Sequence, residues 1–281
     1  MTQATPLNTK RITEHQFAER TASYKDRDVI LYALCCGAGA DGDLTFVHED
    51  YLKVIPSFGQ NLCFDDSWME ESGIDLPRVV HGGLDLRMHK PFKVGGSVQV
   101  QSRIAGLTDK GEGRPAFVLH QSDVKDGDDV VFTSYSNLFV MGGGGFGGSQ
   151  GETFEMVRLP ETAPTSTAVV ATRADSPVLF RLLGDLNPLH VKPDVAKQAG
   201  FDRPIMHGAN TFGYVCHDVV LRFCGGDPAR LKRFAARFSG PFFPGEQLAL
   251  SYWAVDGGVR FAARSVERDA PVLDGGVAEI I

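Results

Sequence analysis

One stretch of this chain is written twice. Arg87-Met88-His89-Lys90-Pro91-Phe92-Lys93-Val94-Gly95 returns as Arg237-Phe238-Ser239-Gly240-Pro241-Phe242-Phe243-Pro244-Gly245, with Arg, Pro, Phe and Gly in step. Val98 and Val100 then match Leu248 and Leu250. A repeat at this distance implies duplication, so the chain has to fold as two related halves. Each copy sits among segments of strand character. Residues 79–88, 98–107, 116–124 and 130–141 alternate or are rich in β-branched and aromatic residues. Residues 231–238, 247–255 and 258–268 do the same after the second copy. Between the two sets lie a glycine-rich run, Gly142 to Gly151, and a Thr/Pro-rich stretch, Thr162 to Thr167. The domain boundary is expected here, giving residues 1–150 and 151–281. The halves are unequal. Residues 210–223 carry Phe212, Val215, Val219, Val220 and Phe223 near helical spacing and predict the longest helix, with no counterpart in the first half. Shorter helices are expected at 29–39 and 176–183.

Composition narrows the class. The 281 residues are 43% hydrophobic and 22% charged, enough for a real core. A formal net charge of -7 argues against a nucleic-acid partner, which needs clustered Lys and Arg. Five cysteines, Cys35, Cys36, Cys63, Cys216 and Cys224, form no C-x-x-C pair and suit reduced thiols. The stretch from Met1 to Arg11 is polar, no apolar run is long enough to span a bilayer, and the last residues, Ala278 to Ile281, are not an S-K-L address. A cytoplasmic location is expected, with a peroxisomal one as the alternative in a eukaryote.

The chemistry is concentrated in Leu183-Gly184-Asp185-Leu186-Asn187-Pro188-Leu189-His190. Pro188 lacks an N–H and disfavours helix in the residue before it, so Asp185 to His190 is expected to be a loop. A carboxylate, a carboxamide and an imidazole can converge there for proton transfer. A short helix should follow over 193–200, with Pro193 in its first turn and Gly200 at its end. Asp185 and Asn187 alone would also fit an Asx-type turn.

The motif resembles the signature of the hydratase 2 family within the MaoC-like dehydratases, which includes the hydratase domain of the peroxisomal multifunctional enzyme type 2. That signature runs G-D-x-N-P-x-H, then a spacer, then H-G, here His207-Gly208 inside Pro204-Ile205-Met206-His207-Gly208. Arg27 to Leu34, Val80-His81-Gly82 and His89-Lys90-Pro91-Phe92 extend the likeness across nearly the whole chain. The resemblance implies an α+β fold, a tandem hot-dog in which antiparallel sheet wraps a long central helix. The first domain would be degenerate and substrate-binding, and the second would carry the catalytic motif. It implies a stand-alone (R)-specific enoyl-CoA hydratase, a hydro-lyase, forming a homodimer and contacting no nucleic acid or membrane. Asp185 and His190 would be the acid–base dyad, with Asn187 orienting them or the water. Gly208, at the start of the long helix, would turn its N–H toward the thioester oxygen.

The resemblance further makes His81, Gly82, Lys110, Leu186, Pro188, Leu189 and Phe238 candidates for substrate binding. Plain alternatives stand beside these: a turn at His81-Gly82, a solvated Lys110, a core Phe238. His207 is expected to orient the turn. The glycine run lacks the G-K-[ST] ending of a phosphate cradle and reads as a flexible connection. His217-Asp218 and the other histidines, His15, His48, His89 and His120, show no ligand spacing, so no metal is expected; the resemblance implies no cofactor, CoA being the carrier of the substrate. The rival activities are a hot-dog thioesterase, a non-catalytic acyl-CoA-binding module, and a dehydratase of acyl-carrier-protein substrates.

Overall fold

The computed structural model describes residues 5–281, so Met1 to Ala4 of the polar N-terminal stretch lie outside it. In chain order the first half holds α1 (Thr9–Thr13), β1 (Arg20–Tyr24), α2 (Asp26–Cys35), α3 (Gly59–Cys63), α4 (Ser67–Glu71), β2 (Val79–Met88), β3 (Gly96–Asp109), β4 (Ala116–Asp126), β5 (Asp129–Val140) and β6 (Gln150–Gly151). The second holds β7 (Ser166–Ala171), α5 (Ser176–Phe180), α6 (Pro193–Gln198), α7 (Gly208–Phe223), β8 (Leu231–Phe238), β9 (Gln247–Val255), β10 (Gly258–Ser265) and β11 (Ala270–Ile280). The strands form one antiparallel sheet in the order β1-β3-β4-β5-β2-β8-β11-β10-β9-β7, with β6 beside β3. This order is the tandem hot-dog: the strand sequence of one half is repeated, reversed, in the other.

The repeated stretch explains the seam. β2 and β8 are the equivalent strands, and they pair with each other. The repeat that matches Arg87 to Arg237 also matches Gly83 to Arg233. The observed pairs Gly83–Arg237 and Arg87–Arg233 therefore exchange under it, as a local twofold requires. Arg233 is held there by Asp85 of β2, at 2.8–2.9 Å, in a bidentate pair that is buried on the carboxylate side.

In the second half the sheet wraps α7. His207 precedes it in extended conformation, and Gly208 is its first residue. Most of its residues are buried, including Phe212, Tyr214, Val215, Val219 and Val220, as expected for a helix enclosed by sheet. Gly213 lets α2 approach: a Cβ there would stand 2.5 Å from Cys36 Sγ and 2.7 Å from the Tyr32 hydroxyl. The Tyr252 hydroxyl of β9 donates to Asp218 at 2.6 Å and ties strand to helix. In the first half the chain between β1 and β2 holds, after α2, only the five-residue α3 and α4, where α7 comes between β7 and β8 in the second. The buried apolar residues there split between the large core and a smaller cluster around Trp68, Met69, Val118 and Leu138. No helix among the described residues is long and apolar enough to cross a membrane.

Three features depart from the reading of the sequence. The flanking strands β1 and β7 and the long β11 were not foreseen. β7 begins where the Thr/Pro-rich stretch ends, sharing only Ser166 and Thr167 with it, and Gly275-Gly276, with Gly275 at φ 61°, breaks the alternation of β11. The glycine run is more ordered than a flexible connection. The N–H groups of Gly145, Gly147 and Gly148, with that of Gly111, donate to the Asp109 carboxylate at 2.8–3.3 Å. Those donors lower the Asp109 pKa to about 2. The anion this nest cradles is a side chain of the protein itself.

Candidate active site

The loop from Asp185 to His190 is built by its own side chains. Gly184, at φ 122°, turns the chain out of the preceding helical turn. Asp185 Oδ1 accepts the Asn187 N–H at 3.1 Å, and Asn187 Oδ1 accepts the Leu189 N–H at 3.0 Å. The second bond caps a single 3-10 turn, Pro188–His190, which delivers His190 inward. The Asx-turn alternative is thus realised, and Asp185 and His190 converge as expected while the exposed Asn187 side chain bonds back onto the loop and helps aim the ring. Leu186, Asn187 and Pro188 are exposed, and Leu189 is half-buried.

His190 is fixed by a backbone acceptor. Its Nδ1 lies 2.9 Å from the carbonyl of Ile205, and a carbonyl only accepts, so Nδ1 carries the proton. Nε2 is left with its lone pair free. His207, 1% exposed, stacks on His190 with centroids 3.8 Å apart and donates from Nε2 to the Asp185 carbonyl at 3.3 Å. Its Nδ1 is buried without a partner among the described residues. One ligand atom from each of Asp185, His190 and His207 lies within 4.8 Å of the others. This is also metal-binding spacing, but the two rings lie stacked at 29° rather than edge-on to a common centre.

Burial sets the charge state. It raises the Asp185 pKa, while the Asn187 N–H and His190 oppose the rise and the Asp66 carboxylate adds to it. Burial lowers the His190 pKa against the pull of the Ile205 carbonyl and Asp185. The two groups are therefore pushed toward each other in proton affinity, which eases exchange of a proton between them. His207 is driven to about 3, by burial first and His190 second, and stays neutral.

Gly208 directly follows His207, whose ring bonds the Asp185 carbonyl of the loop. As the first residue of α7 its N–H has no carbonyl one turn back within the helix. The Phe238 ring packs 3.2 Å from where a Cβ on Gly208 would sit. The same ring lies 5.0 Å from the His81 ring, so Phe238 joins Gly208 to His81. Gly82 forms part of a bulge in β2, and a Cβ there would strike Phe139. Lys110 is set apart. Its ammonium rests 4.9 Å over Phe117, which stacks on Phe139, on the sheet face opposite to that of His81. The Ile205 carbonyl and Asp66 were not found by sequence reasoning: a backbone acceptor leaves no residue signature, and Asp66 arrives from the other half.

The neutral buried histidines have a consequence for stability. Burial lowers His81 and His120 to about 4 and His207 to about 3. In the unfolded chain each titrates near about 6.5. Between those values the unfolded state binds more protons, so stability is full above pH ~6.5 and falls as pH drops toward ~4. Each ring contributes up to about 1.4 kcal/mol per pH unit. Urea unfolding midpoints should drop steeply from pH 7 to 5; a flat profile would contradict the burial of these rings.

Comparison with known proteins fits this architecture. A family model described as a MaoC like domain matches residues 155–275, and one described as the MFE-2 hydratase 2 N-terminal domain matches residues 22–142. The chain is 34% identical to the 3-hydroxyacyl-thioester dehydratase Y of Mycobacterium tuberculosis, over 98% of each chain. It is 31% identical to the probable enoyl-CoA hydratase 2 of Dictyostelium discoideum, over 98% of this chain and 97% of that one. The crystal structure of a MaoC-like dehydratase from Phytophthora capsici superposes with a TM-score of 0.89 at 28% identity, covering 98% of both chains.

Proposed function

The chain belongs to the hydratase 2 family of MaoC-like dehydratases, and on that footing we propose that it reversibly hydrates trans-2-enoyl-CoA to (3R)-3-hydroxyacyl-CoA, with Asp185 and His190 as the acid–base dyad. The observation that carries the dyad is the fixed tautomer of His190. Ile205 holds the Nδ1 proton, which leaves Nε2 as a free base, and a ring nitrogen of His190 lies within 4.8 Å of an Asp185 carboxylate oxygen. A water between them loses a proton to one member as its oxygen attacks C3. The other member delivers a proton to C2. The net change is hydroxyl on C3 and hydrogen on C2, and the roles reverse in dehydration. Both groups lie on one side of the substrate, so the addition is syn. Charge gathering on the thioester oxygen is met by the Gly208 N–H and the positive end of the sixteen-residue α7. Asn187 acts by holding the turn that aims His190.

His81 and Phe238, next to Gly208, line the acyl-thioester side of the site in this reading, and Leu186, Pro188 and Leu189 its rim. Lys110 lies farther out, as a contact for the CoA phosphates. The two halves divide at 150/151, within the two-residue β6, and the matches to residues 22–142 and 155–275 on either side support a boundary in this region. A homodimer belongs to the same proposal through the family likeness, and light scattering tests it. The chemistry is tested by incubating the protein with trans-2-decenoyl-CoA and following the conjugated enoyl-thioester absorbance. Rapid loss without thiol release is expected. Release of free CoA, or no loss with crotonyl-CoA also inert, would overturn the assignment.

A further inference from the structure

The inner face of the first-half sheet carries polar rungs where a core would be apolar. Register sets Val118 opposite Leu138, His120 opposite Ser136, Ser122 opposite Ser134, and Val124 opposite Phe132. Residues directly opposed share a face, and so do alternate residues along a strand. Val118 and Leu138 belong to the smaller apolar cluster, Val124 and Phe132 to the larger. Two rungs of histidine and serine lie between. Ser102 of β3 joins them, its Oγ 2.8 Å from that of Ser122. His81 joins at the other end, its Nε2 3.3 Å from Ser136 Oγ. Gln60 of α3 covers the belt and accepts from Ser134.

This belt is not self-satisfied. His120 Nε2 is buried with no partner among the described residues. His120 is 7% exposed and stacked at 5.1 Å on Trp68. A buried polar atom without a partner costs about 1–3 kcal/mol, and a hydrogen-bonding group brought to His120 Nε2 would remove that cost. The belt connects to the candidate active site, since His81 contacts Phe238 and Phe238 contacts Gly208. None of its side chains is Lys or Arg, which leaves nothing to offset a carboxylate or phosphate.

We propose that this belt receives a neutral oxygen group, a hydroxyl or ketone, borne on the acyl part of the substrate, with His120 as the specificity-determining residue. The proposal rests on the hydratase reading for the identity of the ligand as an acyl-CoA. A plain hydrocarbon would leave His120 Nε2 unsatisfied in the bound state. A hydroxyl can donate to one nitrogen or oxygen and accept from another; a ketone accepts from the histidine once Nε2 carries the proton. Sites built to hydrogen-bond an oxygen reject the analogue that lacks it.

The test is binding of saturated thioesters, which needs no turnover. Affinities are measured by calorimetry for decanoyl-CoA and for decanoyl-CoAs bearing one hydroxyl or one ketone at successive positions. At least one oxygenated isomer should bind about tenfold tighter than decanoyl-CoA. His120→Phe, which keeps a ring against Trp68, should erase that preference, and Ser136→Ala should weaken it should the first variant fail to fold. The proposal is overturned when no isomer exceeds decanoyl-CoA, or when the preference survives both substitutions. An oxygen preference in a protein that hydrates no enoyl-CoA would refute the hydratase reading while leaving this one standing.

Discussion

Replacing His190 by glutamine should lower kcat by about 10²–10⁴ while KM for trans-2-decenoyl-CoA moves little. Glutamine can still donate to the Ile205 carbonyl that fixes the native ring at 2.9 Å, so the loop should keep its shape. What is lost is a nitrogen that accepts and returns a proton. Asp185→Asn should act alike, because its carboxamide can still accept the Asn187 N–H that shapes the turn. If the two groups share one water, the double variant should be hardly worse than the poorer single one, since residues acting as a unit do not add. Asn187→Ala should cost less than either, because it only loosens the cap of the 3-10 turn. Retention of most activity in His190→Gln would remove the dyad assignment.

Phe234→Ala should destabilise the protein by about 3–5 kcal/mol, the cost of truncating a fully buried aromatic. Phe234 is 0% exposed in the middle of β8. Its ring stacks on Phe261 at 5.0 Å and meets Phe212 of α7 at 4.5 Å. On either side its backbone faces Leu86 of β2 and Ala278 of β11. The side chain therefore joins helix to sheet at the strand where the two halves meet. Urea unfolding should show one transition, moved to lower urea, with both halves lost together. A loss under about 1 kcal/mol would mean that the ring sits in a loose site that collapses around the gap.

Much of this architecture could be read from the residues. β2, β8 and β9 span the alternating segments 79–88, 231–238 and 247–255, because one face of each is buried and period-two patterning records that directly. β11 escaped because two glycines interrupt its alternation, and β7 because a short strand at the sheet's end needs little apolar character. Asp185 and His190 were legible because six residues of loop bring them together. The acceptor that fixes the His190 tautomer was not, being the main chain of Ile205. Nor was the charge of Asp66 beside Asp185, or the stacking of His120 on Trp68, since both depend on how the first half folds against itself and against the second. His120 shows the limit most clearly: with no ligand spacing around it, only the strand register reveals that it stands in a polar belt.

The central claim is that one water is split between Asp185 and His190 on a single face of the double bond. Hydration of trans-2-decenoyl-CoA in D₂O tests it most directly, with the configurations at C2 and C3 of the product read by chiral chromatography and NMR. A (3R)-hydroxyl with deuterium at C2 on the same face is the predicted result. Deuterium on the opposite face, or a (3S)-hydroxyl, would contradict the account.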